Sequence, residues 1–294
     1  MSKARAVLGR IKSVEKTRQI TKTMEMVAAA KIKRAQARIE SARPYAIKMV
    51  EVLNNIAEYV GPDSHPLLKV HDPIQNVVIV PITSNRGLCG AFNMNILRQS
   101  EALYRQEVAE GRNVKFLAIG RKGVGYLRFT GYDLLAAHTE FSDKPTFVEA
   151  KVIADRLVEM YLEGTLDKVY LVFNHFKSVM EQKPMIHQLL PIKQEEITDA
   201  AAEKKQEAGY EFEPDAVSVL YDLLPRYIDT VVLRALMESA ASEQAARRTA
   251  MKNATDSAGD MIENLTRWYN RARQAQITQE IAEIVGGANA LQEA

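Results

Sequence analysis

Residues 226–294 read RYIDTVVLRALMESAASEQAARRTAMKNATDSAGDMIENLTRWYNRARQAQITQEIAEIVGGANALQEA. The run has no proline, and its only glycines are Gly259 and the Gly286-Gly287 pair. A stretch this long without breakers fits one continuous α-helix. At about 1.5 Å per residue, even about 60 of these residues span roughly 90 Å. A compact domain in a chain of 294 residues hides no helix of that length. Residues 1–43 also lack proline and contain only Gly9. Both ends of the chain therefore predict long helices that need one another or a partner, and two such helices leaving the same face of an intervening domain pair antiparallel.

Helical spacing supports this. Val7, Ile11, Val14, Thr21, Met24, Ala28, Ala35 and Ala42 fall at steps of three, four and seven, and Leu220, Leu224, Tyr227 and Val231 lead on to Met261, Leu265, Trp268, Ala272 and Ala275. Both stripes are narrow and rich in small residues, which suits close helix pairing. Pro44 is expected to kink or locally unwind the first helix, whose pattern resumes from Ala46 to Tyr59. Gly61-Pro62 then ends it, and a connector with Pro66 and Pro73 follows.

The middle of the chain reads differently. Asn76–Ile82, Val114–Ile119 and Lys168–Phe173 are apolar strands, with a fourth over His187–Ile192. Helical patterns at Met94–Glu110 and Phe147–Leu162 alternate with them, which predicts a largely parallel βαβ sheet. Gln194–Gly209 is polar and reads as a loop. The expected organisation is a helix over 1–60, an α/β domain over 74–195, a linker over 196–213 and a second long helix over 214–294.

Composition narrows the class. No apolar run approaches the roughly 20 residues that cross a bilayer, and the first residues show no secretory signal. Cys89 is the only cysteine, so an intrachain disulfide and a cysteine-cluster metal site are excluded, and a reducing, cytoplasmic compartment is expected. The net charge of +2 hides an asymmetry: 1–50 carries +10, 51–225 carries −7 and 226–294 carries −1. A basic first helix points to an acidic partner surface.

Candidate chemistry is sparse. Thr83-Ser84-Asn85-Arg86-Gly87-Leu88-Cys89-Gly90 lies between a strand and a helix, where phosphate loops sit, yet it lacks the Gly-Lys-Ser/Thr ending. Gly120-Arg121-Lys122-Gly123-Val124-Gly125 lacks the dinucleotide glycine order. Both loops read as structural turns. Cys89 reads as a packed residue, since no histidine is near it in sequence. The five histidines (His65, His71, His138, His175 and His187) show no ligand spacing. No catalytic residue, cofactor site or metal site is expected. A nucleic-acid-binding coiled coil and a nucleotide-dependent enzyme are the rival readings; the first lacks aromatic residues among its basic ones, and the second lacks a phosphate-loop ending.

The segment Ile277-Thr278-x-Glu280, Glu283, Gly287-Ala288-x-Ala290 resembles the signature of the γ subunit of F-type ATP synthases. Four further blocks agree in order: Ile20–Lys31, Thr83–Asn93, Ser242–Arg247 and Met251–Asp256. Asn85, where the family generally has Asp, and Ala91, where Gly is common, depart from the pattern. The resemblance implies an antiparallel coiled coil of the terminal helices with an inserted Rossmann-like α/β domain. It implies a central rotor shaft, without bond chemistry of its own, inside a ring of three α and three β subunits. The α/β domain would sit below with ε and the membrane c-ring, peripheral to the cytoplasmic side of the cell membrane, and neither nucleic acid nor direct ATP binding is expected. By the same resemblance Arg273, Gln274, Thr278 and Glu280 correspond to a β catch-loop contact, Met24 and Arg247 face an acidic lever segment of β, and Tyr210 and Glu213 form the foot on the c-ring. With Cys89 alone, the redox control of the chloroplast members is not expected.

Overall fold

A computed structural model describes residues 3–57, 60, 64–141, 144–193, 212–213 and 215–292. The expected linker falls mostly outside the described residues, as does Tyr210. The elements in chain order are α1 (Lys3–Ala57), β1 (Asn76–Pro81), α2 (Phe92–Ala109), β2 (Asn113–Ile119), α3 (Arg121–Phe129), β3 (Leu134–His138), α4 (Phe147–Leu162), β4 (Lys168–Phe176), β5 (Gln182–Leu190) and α5 (Ala216–Gln292). Long terminal helices thus flank a mixed α/β sheet. The chain divides into two compact units, residues 1–28 with 248–294 and residues 29–247.

In the first unit the antiparallel helices meet along a seam of strict heptad spacing. Ala4, Val7, Ile11, Thr21 and Ala28 are buried on α1, and Met251, Thr255 and Ala258 on α5. The half-buried Ile262, Leu265, Tyr269 and Ala272 continue the α5 row at the same steps. A seven-residue repeat keeps one face turned to the partner only if the helices supercoil left-handedly. Burial corrects the expected stripe: Met261 and Trp268, each one residue before a seam position, stand on the solvent side, 53 % and 57 % exposed, and Ala275 is exposed as well. One polar pair interrupts the seam, with the Thr21 and Thr255 hydroxyls 2.8 Å apart and buried. The carbonyls of Arg18 and Met251 lie 3.0 Å and 2.8 Å from them. Each hydroxyl has one proton, so one threonine donates across the seam while the other donates to its own helix.

α1 passes through Pro44 without a break in its helix, contrary to the expected unwinding. Proline removes one hydrogen bond, to the carbonyl of Glu40. Pro44 and Glu40 are both exposed, so that carbonyl faces water. α5 likewise includes Pro225.

The second unit is built on a five-stranded sheet of order β3-β2-β1-β4-β5, with β5 antiparallel and the other pairs parallel. Alternate residues of the central strand face opposite layers. Val78 and Val80 join Leu117, Ile119 and Leu171 beneath α4 (Ile153, Leu157, Tyr161), α1 (Leu53, Ile56) and α5 (Leu224, Ile228, Val232). Val77 and Ile79 join Phe116 beneath α2 (Ile96, Leu97) and α3 (Val124, Leu127).

Two elements were absent from the sequence expectation. α3 occupies the glycine loop read there as a turn, and it carries Gly123 and Gly125, poor helix formers. β3 is short, half-buried throughout and partly alanine, so neither alternation nor β-branching marks it. β5 begins at Gln182, earlier than His187, and its polar start with Pro184 belongs to an edge strand.

Asp167 ties the proline-rich connector to the sheet. Its carboxylate accepts from the backbone N–H groups of Gln75 (2.9 Å) and Asn76 (2.7 Å), and its other oxygen meets His71 Nδ1 at 2.9 Å. Burial works to raise the Asp167 pKa, but the two amides and the imidazole outweigh it and hold the group below the usual aspartate value. A depressed carboxylate contributes stability that is complete above its unfolded pKa, about 3.9, and is lost as pH falls through the folded value. Asp167→Asn therefore lowers unfolding stability at pH 7 by about 1.5–3 kcal/mol, and the gap from wild type narrows as pH falls below about 4, as urea melts at each pH will show.

Candidate functional site

In open α/β sheets ligands bind where the strand order reverses, at the C-terminal ends of the strands. Here that point lies between β1 and β4, and α5 fills it. The Ser239 hydroxyl donates to the Ile82 carbonyl (3.2 Å) and the Ser242 hydroxyl to the Asn174 carbonyl (3.0 Å). Asn174 Nδ2 in turn donates to the Phe92 carbonyl at 3.4 Å. Glu238, buried, accepts from Arg234 Nε at 2.8 Å and lies 2.5 Å from His175 Nδ1. A residual cavity of about 40 Å³ lies between Thr83, Gly120, Phe141 and α5, whereas small-molecule sites need some 300 Å³ or more.

The loop after β1 presents carbonyls, not amides, to this helix. Arg247 Nη2 donates to the carbonyls of Gly87 (3.2 Å) and Arg86 (3.4 Å) and pairs with Glu243 at 2.6 Å. Ser84 and Asn93 anchor the loop base: the Ser84 N–H donates to Asn93 Oδ1 at 2.9 Å, and Asn93 Nδ2 approaches Cys89 Sγ at 3.3 Å. Cys89 is buried, and burial pushes its thiol pKa up, against the opposing pull of the Ser84 hydroxyl and the Arg247 charge. Leu88 at the apex has φ +63° and is 62 % exposed, a left-handed conformation that costs a non-glycine residue roughly 1–2 kcal/mol. Asn85 Oδ1 accepts from the Arg121 N–H (2.9 Å) while its Nδ2 donates to the Phe141 carbonyl (2.6 Å); an aspartate here lacks the donor.

The residues expected to meet partner subunits fall into distinct settings. Arg273, Gln274, Thr278 and Glu280 are all exposed on α5. Arg273 and Glu280, seven apart, share a helix face, while Thr278 donates to the Gln274 carbonyl (3.0 Å) and Glu280 accepts from Gln276 Nε2 (2.9 Å). Ile277, Ile281 and Ile284 lie beside them, 43 %, 56 % and 71 % exposed. Met24 is half-buried on α1, and Glu213 is exposed. Arg247 is set apart, since its guanidinium is turned inward with its side chain 10 % exposed. Ser239 and the Arg234–Glu238–His175 contact were not found from sequence; small hydroxyls and ion pairs on a long helix look the same whether they face a sheet or water. Among the described residues no group of His, Cys, Asp and Glu could hold a metal ion, and no helix is long and apolar enough to cross a membrane.

The fold is a mixed α/β sheet held between long terminal helices, with α5 seated at the reversal point of the sheet. The sequence model of the ATP synthase family matches residues 3–291. The ATP synthase gamma chain of Desulforamulus reducens is 45 % identical over 292 residues, covering 99 % of this chain and 100 % of its own length. That of Moorella thermoacetica is 44 % identical over 291 residues, again 99 % and 100 %. Among solved structures, the central stalk and c-ring of the Tetrahymena thermophila mitochondrial ATP synthase contains a chain with TM-score 0.59 and 28 % identity, covering 80 % of this chain and 99 % of its own. A chain of the Euglena gracilis mitochondrial enzyme shares the fold, with TM-score 0.68 and 23 % identity over 98 % and 94 % of the two chains. The chain belongs to the ATP synthase gamma chain family.

Close approach at the crevice gives a direct check. A Cβ on Gly120, at φ +92°, would lie 2.2 Å from the Thr83 carbonyl oxygen, whereas one on Gly131, at φ +78°, meets nothing within 4 Å. Gly120→Ala is expected to cost about 3 kcal/mol or more, through a clash with backbone, and Gly131→Ala about 1–2 kcal/mol, through strain alone. Paired urea melts measure the difference.

Proposed function

We propose that this chain is the central rotor shaft of a proton-translocating F-type ATP synthase, carrying torque from a c-ring to catalytic sites on β subunits and performing no bond chemistry itself. One observation carries this reading. Every residue of α5 from Arg273 to Asn289 is exposed, including Ile277, Ile281, Ile284 and Val285. A lone helix in water is marginal and gains its stability from packing an apolar face, so this tip is completed by other chains. The α and β subunits, three of each in a ring, supply that surface. Arg273, Gln274, Thr278 and Glu280 meet a β loop there, where the planar arginine fork suits a carboxylate. Exposed ion pairs of about 0–1 kcal/mol each transmit force yet release at each step.

Met24 lies on the basic half of α1, against an acidic lever of β. Glu213, with Tyr210, forms the foot on the c-ring beside ε, and the chain works peripherally on the cytoplasmic side of the cell membrane. The filled sheet crevice supports a role without nucleotide binding.

Reconstitution with α and β subunits tests the reading. Adding the chain should yield a stable complex whose ATPase activity depends on it; equal activity and assembly without it would sink the proposal. In membranes, Met24→Lys should over-strengthen the lever contact and lower protons pumped per ATP hydrolysed by about twofold or more, the roughly 0.5 kcal/mol of one added surface ion pair. An unchanged ratio removes Met24 from that contact.

A further inference from the structure

Arg247 matches a position expected to face a partner, yet its guanidinium is nine-tenths buried and committed to Glu243 and to the carbonyls of Arg86 and Gly87. Those two carbonyls precede Leu88, the one described non-glycine residue with positive φ. One guanidinium nitrogen, Nη2, meets both oxygens and Glu243, and the rigid planar group holds it in place with less freedom than the ammonium on the flexible stem of a lysine. Glu243, one turn earlier on α5, fixes the fork in the order that favours such pairs. Past this cap, Arg86 and Leu88 stand in solvent while Cys89 is buried behind them.

We propose that Arg247 is a positioning residue of the 83–90 loop: it holds Arg86 and Leu88 in their presented conformation and acts on the rotor's partner subunits through that loop, not by touching them. The part that concerns partners rests on the rotor reading; the positioning of the loop does not.

Cys89, the only cysteine of the chain, reports on the loop directly. Its labelling by a maleimide is measured on the folded full-length chain for wild type, Arg247→Gln, Arg247→Lys and, as a control, Arg248→Gln at the exposed neighbouring position. Loss of the Arg247 charge alone raises the thiol pKa and slows labelling, so faster labelling reports an opened loop. Arg247→Gln is expected to label about tenfold faster or more, Arg247→Lys less so, and the control at the wild-type rate. The lysine variant keeps charge and most of the stem, and so serves if the glutamine variant fails to fold. Unchanged labelling in folded variants overturns the proposal. In the reconstituted complex, Arg247→Gln and Leu88→Ala should each lower coupling, with the double variant no worse than the more impaired single one. Losses that multiply assign Arg247 a direct contact and also overturn it. If no variant, nor the chain itself, alters the complex, the rotor reading fails while the labelling result still decides the positioning of the loop.

Discussion

A long helix in water must find apolar surface along its length, and this constraint organises the chain. α1 and α5 meet it twice by different means. In one unit the heptad seam of Val7, Ile11, Ala28, Met251 and Ala258 lets the helices cover each other. In the other, Leu53 and Ile56 of α1 and Leu224, Ile228 and Val232 of α5 enter the core of the sheet. Among the described residues, α5 is exposed throughout from Arg273 to Asn289.

The same constraint explains what became of the ligand crevice. A sheet of this order offers its reversal point to phosphates when glycine-rich loops turn their amides inward. Here the loop after β1 turns carbonyls inward, and a helix bearing Ser239, Ser242 and Arg247 supplies the donors. The architecture of a nucleotide site has become a socket for the chain's own helix. Its polar contacts set the place of α5 on the sheet more specifically than apolar packing does.

Much of this was legible in the residues. Breaker-free ends gave the long helices, and the Asn76–Ile82 and Lys168–Phe173 runs gave central strands, because buried parallel strands read as unbroken apolar stretches. Closing Ile-Thr-x-Glu and Gly-Ala-x-Ala motifs pointed to the family. The failures have physical causes. Gly123 and Gly125 disguised α3, and the half-buried Leu134–His138 disguised β3. Met261 and Trp268 stand at the same steps of three and four from Leu265 and Ala272 as Ile262 and Tyr269 do, so spacing alone admitted them; the seam runs on the other flank of that row. For Arg247 the resemblance implied a partner contact; within the chain its guanidinium meets backbone from another segment, which no spacing along the helix reveals.

The buried Thr21–Thr255 pair has a consequence for the helices as a sliding couple. Apolar seams built on one repeat tolerate displacement by a whole heptad, about 10 Å along the axis, since alanine then meets much the same company. Displaced by seven residues, Thr21 would lie opposite Arg248 or Ile262, and its hydroxyl would lose its partner across the seam. One hydroxyl contact therefore serves as an axial index, marking a single permitted alignment of two smooth rods that must not creep past each other under load.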